Sequence, residues 1–163
     1  MPRPKRASKL NDALRLSEFL CFTVYSANHA FNRVYKPLLD ELGLTYPQYL
    51  TMVLLWEQDD QTVGSLGEKL FLESSTLTPL LKRLEASGHV KRTRDPVDER
   101  QVRVRLTDKG RAMREKARNI PDCILEASGL EIDELRRLQN EIVACGALWD
   151  DIPRSKRSPF STD

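Results

Sequence analysis

The sequence predicts a mostly helical fold carrying a small β-wing, and three observations in one stretch carry that prediction. Within Ser74–Gly88, Leu77, Leu80, Leu81 and Leu84 fall at i, i+3, i+4 and i+7, the apolar stripe of a helix with one buried side. Two short segments follow, Val90–Arg94 and Gln101–Leu106. In the second, Val102, Val104 and Leu106 alternate with Gln101, Arg103 and Arg105, as in a half-buried strand. Thr107-Asp108-Lys109-Gly110 then begins another helix, with Thr107 placed to cap it. Helix, basic ribbon, helix is the order of a winged helix-turn-helix. Helical segments at both ends suit it to dimerisation.

Residues 1–12 read as a flexible basic tail, since Arg3, Lys5, Arg6 and Lys9 meet no acid among the first nine residues. A dimerisation and sensor helix is expected within 13–44, capped by Ser17 and running to the region of Pro37, whose fixed ring disrupts a helix. Gly43 closes that segment. Thr45 and Gln48 form a Thr-x-x-Gln capping box, and Leu44 with Tyr49 forms a hydrophobic staple, so a new helix starts there. It runs to about Glu57, before the polar turn Gln58–Gln61. Thr62 caps a short helix on which Leu66 and Leu70 face inward, and the Ser74 helix follows, stopped by Gly88. Residues 45–110 are thus the winged domain. The helix from Thr107 meets Pro121, which is expected to break or bend it. Leu135, Leu138, Ile142, Cys145 and Trp149 repeat with heptad-like 3,4 spacing, which assigns residues 111–152 to dimerisation. The Ser-, Pro- and Arg-rich tail 153–163 reads as disordered.

A chain of 163 residues accommodates one domain with a core, or a small domain plus dimerisation helices. The formal charge is only +2, but its distribution is uneven. Residues 89–105 carry six bases against three acids, whereas residues 122–151 carry eight acids against two bases. A basic centre and an acidic end imply one surface for DNA and another kept off it. No apolar run approaches the ~20 residues of a membrane span. The basic amino terminus has no apolar core behind it, so it does not read as a signal peptide. Three cysteines without regular spacing argue against a disulfide framework or a zinc site, and His29 and His89 lack ligand spacing. The expectation is a cytoplasmic protein with reduced thiols, no metal and no cofactor.

Opposite the leucine stripe, the Ser74 helix presents Ser75, Pro79, Lys82, Arg83 and Ala86, a basic and hydroxyl-bearing face without acids. Such a face combines charge with donors for base edges. With Thr76 and Thr78 from the same helix, and Arg94, Asp98 and Arg100 from the ribbon, it makes up the candidate double-stranded DNA contact set. Pro79 lies near the helix N-terminus, where it forfeits one hydrogen bond. Taken alone, the ribbon also reads as a solvated, salt-bridged hairpin. Directly behind an acid-free helix face, the DNA reading prevails.

The run Leu77-Thr78-Pro79-Leu80-Leu81-Lys82-Arg83-Leu84, the wing Asp98-Glu99-Arg100-Gln101-Val102 and the closing Leu106-Thr107-Asp108-Lys109-Gly110 resemble MarR-type transcriptional regulators. Upstream, Leu20-Cys21-Phe22, Tyr25-Ser26-Ala27-Asn28, Leu44-Thr45-Tyr46-Pro47-Gln48-Tyr49-Leu50 and Leu55-Trp56-Glu57 are similar to the organic-hydroperoxide-sensing OhrR-like branch. The resemblance covers roughly residues 15 to 112.

On the residues alone, Cys21 lies on an opening helical turn, where the macrodipole stabilises a thiolate, but Phe19, Leu20, Phe22 and Val24 around it also suit simple packing. The resemblance implies that Cys21 is the sensing cysteine, oxidised to sulfenic acid by an organic hydroperoxide. Tyr35 and Tyr46 read alone as core aromatics. The resemblance implies that they hydrogen-bond the reactive sulfur from the partner subunit, and Tyr25, one turn after Cys21, is a third candidate. It also implies that Arg100 enters the minor groove, oriented by Asp98. The resemblance further implies Cys123 as the candidate resolving thiol, since some members form an intersubunit disulfide from this helix while others use a small-molecule thiol. Cys145 sits in the apolar stripe and reads as packing.

The expected function is a homodimeric repressor on an inverted-repeat operator, released when organic hydroperoxide oxidises Cys21. Three alternatives accompany it. One is a MarR-type repressor released by a small aromatic ligand, with Cys21 structural. Another is an architectural DNA binder without a switch. The third, of a different class, is a thiol peroxidase, against which stand the wing and the absence of an arginine pair around Cys21.

Overall fold

The computed structural model describes residues 15–150, which belong to two compact units divided after Arg118. The basic tail 1–12 and the tail 153–163 lie outside the described residues, as does the side chain of Trp149. The first unit contains α1 (Leu20–Asp40), α2 (Tyr46–Glu57), β1 (Gln61–Thr62), α3 (Val63–Leu70), α4 (Ser74–Ala86), β2 (Val90–Arg94), β3 (Val102–Leu106) and α5 (Asp108–Ala117). The second contains α6 (Ile120–Ser128) and α7 (Ile132–Asp150). Helices dominate, with one three-stranded antiparallel sheet in the order β1-β3-β2.

Several element ends follow local chemistry. At α2 the Thr45 N–H donates to Gln48 Oε1 at 2.8 Å, the capping box read from the sequence, and Leu44 and Tyr49 are both buried beside it. Thr62 Oγ1 accepts from Ser65 N at 3.1 Å to cap α3, and Thr107 Oγ1 accepts from Gly110 N at 3.1 Å to cap α5. Gly43 (φ +66) and Gly88 (φ +77) take the left-handed conformation that ends α1 and α4.

The structure corrects four readings. Ser17 does not cap α1; it lies in a 3-10 turn, Leu16–Glu18, and Phe19 occupies the cap position. Pro37 does not end α1, which continues to Asp40. The ring removes one hydrogen bond in the last turn, while Leu39 just beyond it is buried and anchors that turn. Gln61 is not simply turn: Gln61–Thr62 forms β1, pairing with Val104 and Arg103 of β3. Pro121 neither breaks nor bends the helix from Thr107, which stops at Ala117; it sits in the first turn of α6, where its missing N–H costs nothing.

The core of the first unit gathers around α4. Leu77, Leu81 and Leu84 are fully buried with Met52 and Leu55 of α2, Leu66 of α3, and Val90 and Val104 of the sheet. Leu80 completes the stripe, while Leu70 is only half-buried. Helix α5 returns against the start of β2 through Gly110. A Cβ added there would stand 2.0 Å from the His89 carbonyl oxygen, itself fixed by the Thr107 N–H at 3.0 Å. Trp56 Nε1 donates to the Gly110 carbonyl at 2.9 Å, tying α2 to the same point. Gly110→Ala is therefore expected to lower unfolding free energy by about 1–3 kcal/mol, the usual cost of overpacking. Urea titration followed by Trp56 fluorescence checks it.

Candidate nucleic-acid interface and thiol site

Burial of the leucine stripe turns the other side of α4 to solvent. Ser75, Thr76, Pro79, Lys82 and Arg83 are exposed and Thr78 is half-buried. Glu73 takes the cap position without a side-chain cap bond, and no acid occupies the first turn. The Thr76 N–H donates to the Glu73 carbonyl at 2.9 Å, which leaves the Ser74 and Ser75 N–H groups at the start of α4 to face an anion such as a DNA phosphate. An open groove of about 630 Å³ runs between α3, α4 and the wing, lined among others by Ser65, Ser74, Thr78, Arg92, Arg100 and Gln101.

The wing is built around two aspartates. Asp95 is buried, and its Oδ1 accepts from Val97 N at 2.8 Å and Asp98 N at 3.2 Å, closing the turn after β2. Asp98 Oδ1 accepts from Arg100 N at 3.1 Å and lies 3.6 Å from Arg100 Nε. The Arg100 side chain is 96% exposed, so nothing but this acid directs it. Arg94 and Lys91 are also exposed.

The alternation of β3 placed Arg103 and Arg105 on the solvent side, but they do not form part of an open basic face. Arg103 Nε donates to Asp60 Oδ1 at 2.6 Å, its Nη2 to the Asp60 carbonyl at 2.7 Å, and its Nη1 to Asp95 Oδ2 at 2.9 Å. Arg105 pairs with Asp60 at 2.9 Å. Arg92 pairs with Glu85 of α4, its N–H and Nε each 2.8 Å from a carboxylate oxygen. Three of the six wing cations are thus paired with Asp60, Asp95 or Glu85, Arg105 while still exposed, and Lys91, Arg94 and Arg100 face solvent outside these pairs. Asp60 and Glu85 were not singled out in the sequence; Asp60 lies in a left-handed turn (φ 60) whose partners are distant along the chain. Hydrogen bonds from Arg105 and Arg103 hold the Asp60 carboxyl down at about 2. Arg103 and the turn N–H groups lower Asp95, and the Arg92 N–H and guanidinium lower Glu85.

Cys21 is the second residue of α1 and is exposed, within the positive end of the helix dipole. Tyr25, one turn on, stacks with Phe22 at 6.2 Å and meets His29 edge-on at 4.4 Å between ring centres. Tyr35 and Tyr46 lie together, ring centres 4.8 Å apart, beside a cleft of about 260 Å³ that Leu39 and Leu44 also line. Tyr49 joins them at 6.1 Å from Tyr35, a neighbour that sequence reading used only as a staple. Burial, with Tyr46 and Tyr49 adding to it, pushes Tyr35 up to about 12, and burial raises Tyr46 as well. Both phenols therefore stay protonated as hydrogen-bond donors. They do not meet Cys21 of their own chain: fourteen residue steps along α1 lead from Cys21 to Tyr35, about 21 Å of rise. Cys123 is exposed in the first turn of α6, and Cys145 is half-buried in α7. No cluster of metal-ligating side chains occurs among the described residues. No helix among them is long and apolar enough to cross a membrane.

A three-helix core, a recognition helix with an acid-free outer face and a two-stranded wing define a winged-helix DNA-binding protein. Residues 33–117 match the family of transcriptional regulators described as SarA/Rot. The chain is 50% identical to the HTH-type transcriptional regulator TtmR of Methylorubrum extorquens, over 82% of this chain and 69% of that one. It is 44% identical to the organic hydroperoxide resistance transcriptional regulator of Bacillus subtilis, over 80% of this chain and 89% of that one. Among solved structures it resembles reduced AbfR bound to DNA, with a TM-score of 0.71 and 39% identity over 84% of this chain and 96% of the other. AbfR, from Staphylococcus epidermidis, has also been solved overoxidised on DNA and in a disulfide form. The chain belongs to the SarA/MarR-type winged-helix family of DNA-binding transcriptional regulators. Its relatives are regulators rather than enzymes, which removes the thiol peroxidase alternative.

The clamp carboxylates make acid stability a test of this geometry. Asp60 has a folded value below its ordinary 3.8, so its contribution is complete above pH 4 and disappears as pH falls toward about 2. Asp60→Asn is expected to be less stable than wild type at pH 7, with the two urea midpoints converging near pH 2. Equal midpoints at pH 7 would mean that the clamp carries no net stability.

Proposed function

We propose that this regulator is a homodimeric cytoplasmic repressor that binds an inverted-repeat operator and releases it when organic hydroperoxide oxidises Cys21. The observation that carries the reading is the separation of thiol from phenols along one helix. Cys21 opens α1 and is exposed, while Tyr35, paired with Tyr46 of α2, lies about 21 Å of helical rise further on, so a meeting of thiol and phenols would require a second copy. Leu16, Leu20, Val24, Phe31 and Val34 around α1, and Leu138 and Ile142 on α7, are exposed apolar groups for such a partner to cover. Similarity to a regulator named for organic hydroperoxide resistance, and to a protein solved in oxidised forms, supports peroxide as the signal.

In the reaction the Cys21 thiolate attacks one oxygen of the hydroperoxide. An S–O bond forms as the O–O bond breaks, the departing alkoxide takes a proton from solvent to become the alcohol, and sulfur is oxidised to sulfenic acid. The phenols of Tyr35 and Tyr46 of the partner subunit donate to the thiolate and favour its charged form. The sulfenic acid then condenses with the thiol of Cys123 of the partner subunit, giving a disulfide and water. Capture by a small-molecule thiol is the competing fate. On DNA, the α4 face with Ser75, Thr76, Thr78, Pro79, Lys82 and Arg83 occupies the major groove. Arg100, steered by Asp98 and flanked by Arg94, enters the adjacent minor groove.

Two predictions test the halves separately. Arg100→Ala is expected to weaken operator binding by about 1–3 kcal/mol and to relax preference at an A·T-rich flank, with Lys82→Ala and Arg83→Ala comparable in size. Unchanged anisotropy titrations in all three would remove the DNA assignment from these residues. Cys21→Ser is expected to bind DNA normally and ignore cumene hydroperoxide, whereas Tyr35→Phe and Tyr46→Phe slow release without abolishing repression. A Cys21→Ser protein that still leaves its operator on peroxide, or that responds instead to a small aromatic acid, would favour the ligand-released reading.

A further inference from the structure

The corner between α2 and β1 is linked to the wing arginine by a continuous run of polar contacts. Asp60 accepts two hydrogen bonds from the Arg103 guanidinium, at 2.6 and 2.7 Å. The same guanidinium reaches Asp95 Oδ2 at 2.9 Å. The other oxygen of Asp95 holds the Val97 and Asp98 N–H groups, and the Asp98 carboxylate meets the Arg100 backbone and side chain. We propose that Asp60, Arg103 and Asp95 are positioning residues for DNA recognition, fixing the wing turn so that Asp98 presents Arg100 at one place and angle.

The proposal rests on the reading of Arg100 as a DNA contact. Its physical basis is the contrast between the two ends of this run. Arg100 is almost wholly exposed, so packing cannot orient it, whereas the Asp95 side chain is 11% exposed and bonded through both oxygens. A loop that is ordered before binding loses less conformational entropy when it meets DNA. Arg103 suits the bridging task because a planar fork serves two acceptors in fixed directions, which a lysine ammonium cannot do. Asp60 adopts φ 60, in the left-handed region that aspartate tolerates better than most residues, and this turn offers both its carboxylate and its carbonyl to one guanidinium. A residue facing DNA would keep its donors free. Arg103 spends three of them on the protein.

A double-mutant cycle tests this, read by fluorescence anisotropy with duplexes selected from a random library and made with either A·T or G·C pairs at the flank. Arg103→Lys in the wild-type background is expected to weaken binding about tenfold and to reduce the A·T preference, one wrongly held base contact being worth roughly that factor. In the Arg100→Ala background the same substitution is expected to change affinity less than about twofold, because coupled residues do not add. Asp60→Asn breaks the run from the other end and repeats the measurement if Arg103→Lys fails to fold. Equal losses in both backgrounds would overturn the proposal, showing general damage to the wing. So would unchanged affinity and flank preference in both single variants. If Arg100→Ala alone is harmless, the contact assigned to Arg100 fails first and the positioning role falls with it.

Discussion

Which residues of α4 face outward is decided by the four leucines that face inward. Leu77, Leu80, Leu81 and Leu84 are all buried, each contributing roughly 1.5–3 kcal/mol by its removal from water. Rolling α4 by a single residue would drive Lys82 or Arg83 toward Met52, Leu55 and Leu66 and bring leucine into solvent. The roll is therefore fixed by the core, and the acid-free face is its consequence. The wing inherits the same reference frame. Gly88 ends α4, the His89 N–H donates to the Leu84 carbonyl at 2.9 Å, and β2 begins at the next residue.

A surface built to meet phosphates must also hold together without DNA. The outer face of α4 and the wing separate their cations into two populations. Arg92, Arg103 and Arg105 are matched with Glu85, Asp95 and Asp60, and these pairs join the wing both to α4 and to the α2–β1 corner. Lys82, Arg83, Lys91, Arg94 and Arg100 project from the frame those pairs hold. Asp98 is the exception that proves useful: an acid at the wing tip weakens attraction to DNA slightly, yet its bonds to the turn and to Arg100 give the neighbouring cation a direction. Within a Debye length of a phosphate, direction decides whether charge becomes a contact.

What could be read from the sequence follows from the range of the interaction responsible. The α4 stripe, the Thr45–Gln48 box and the Thr62 and Thr107 caps involve residues a turn or two apart, so their spacing announces them. Strand β1 has two residues and exists only because Val104 and Arg103, far along the chain, pair with it. No local pattern distinguishes it from a turn. Arg103 illustrates the same limit at the site: alternation gives its side of β3 correctly but says nothing of whether Asp60 waits there. Prolines misled in the opposite sense. Pro37 looks like a disruption although a buried Leu39 carries the helix past it, and Pro121 like a break or bend although it begins a helix. The chemical character of Cys21, Tyr35 and Tyr46 came from family resemblance, since each alone reads as packing.

The proposed switch draws its force from keeping thiol and phenols on different chains. Burial keeps the Tyr35 and Tyr46 hydroxyls protonated, and in the proposed dimer a thiolate from the partner subunit would be an acceptor for both. Oxidation and capture of that sulfur remove its negative charge and draw it away, leaving two half-buried hydroxyls without their acceptor. An unsatisfied buried hydroxyl costs about 1–3 kcal/mol, and 1.4 kcal/mol is a tenfold change in an equilibrium. Loss of that acceptor would therefore favour another geometry of the proposed dimer, by less than this full cost because both tyrosines are only half-buried. Set across the proposed interface, the same chemistry would act on the spacing of two α4 helices that must fit successive grooves of one operator.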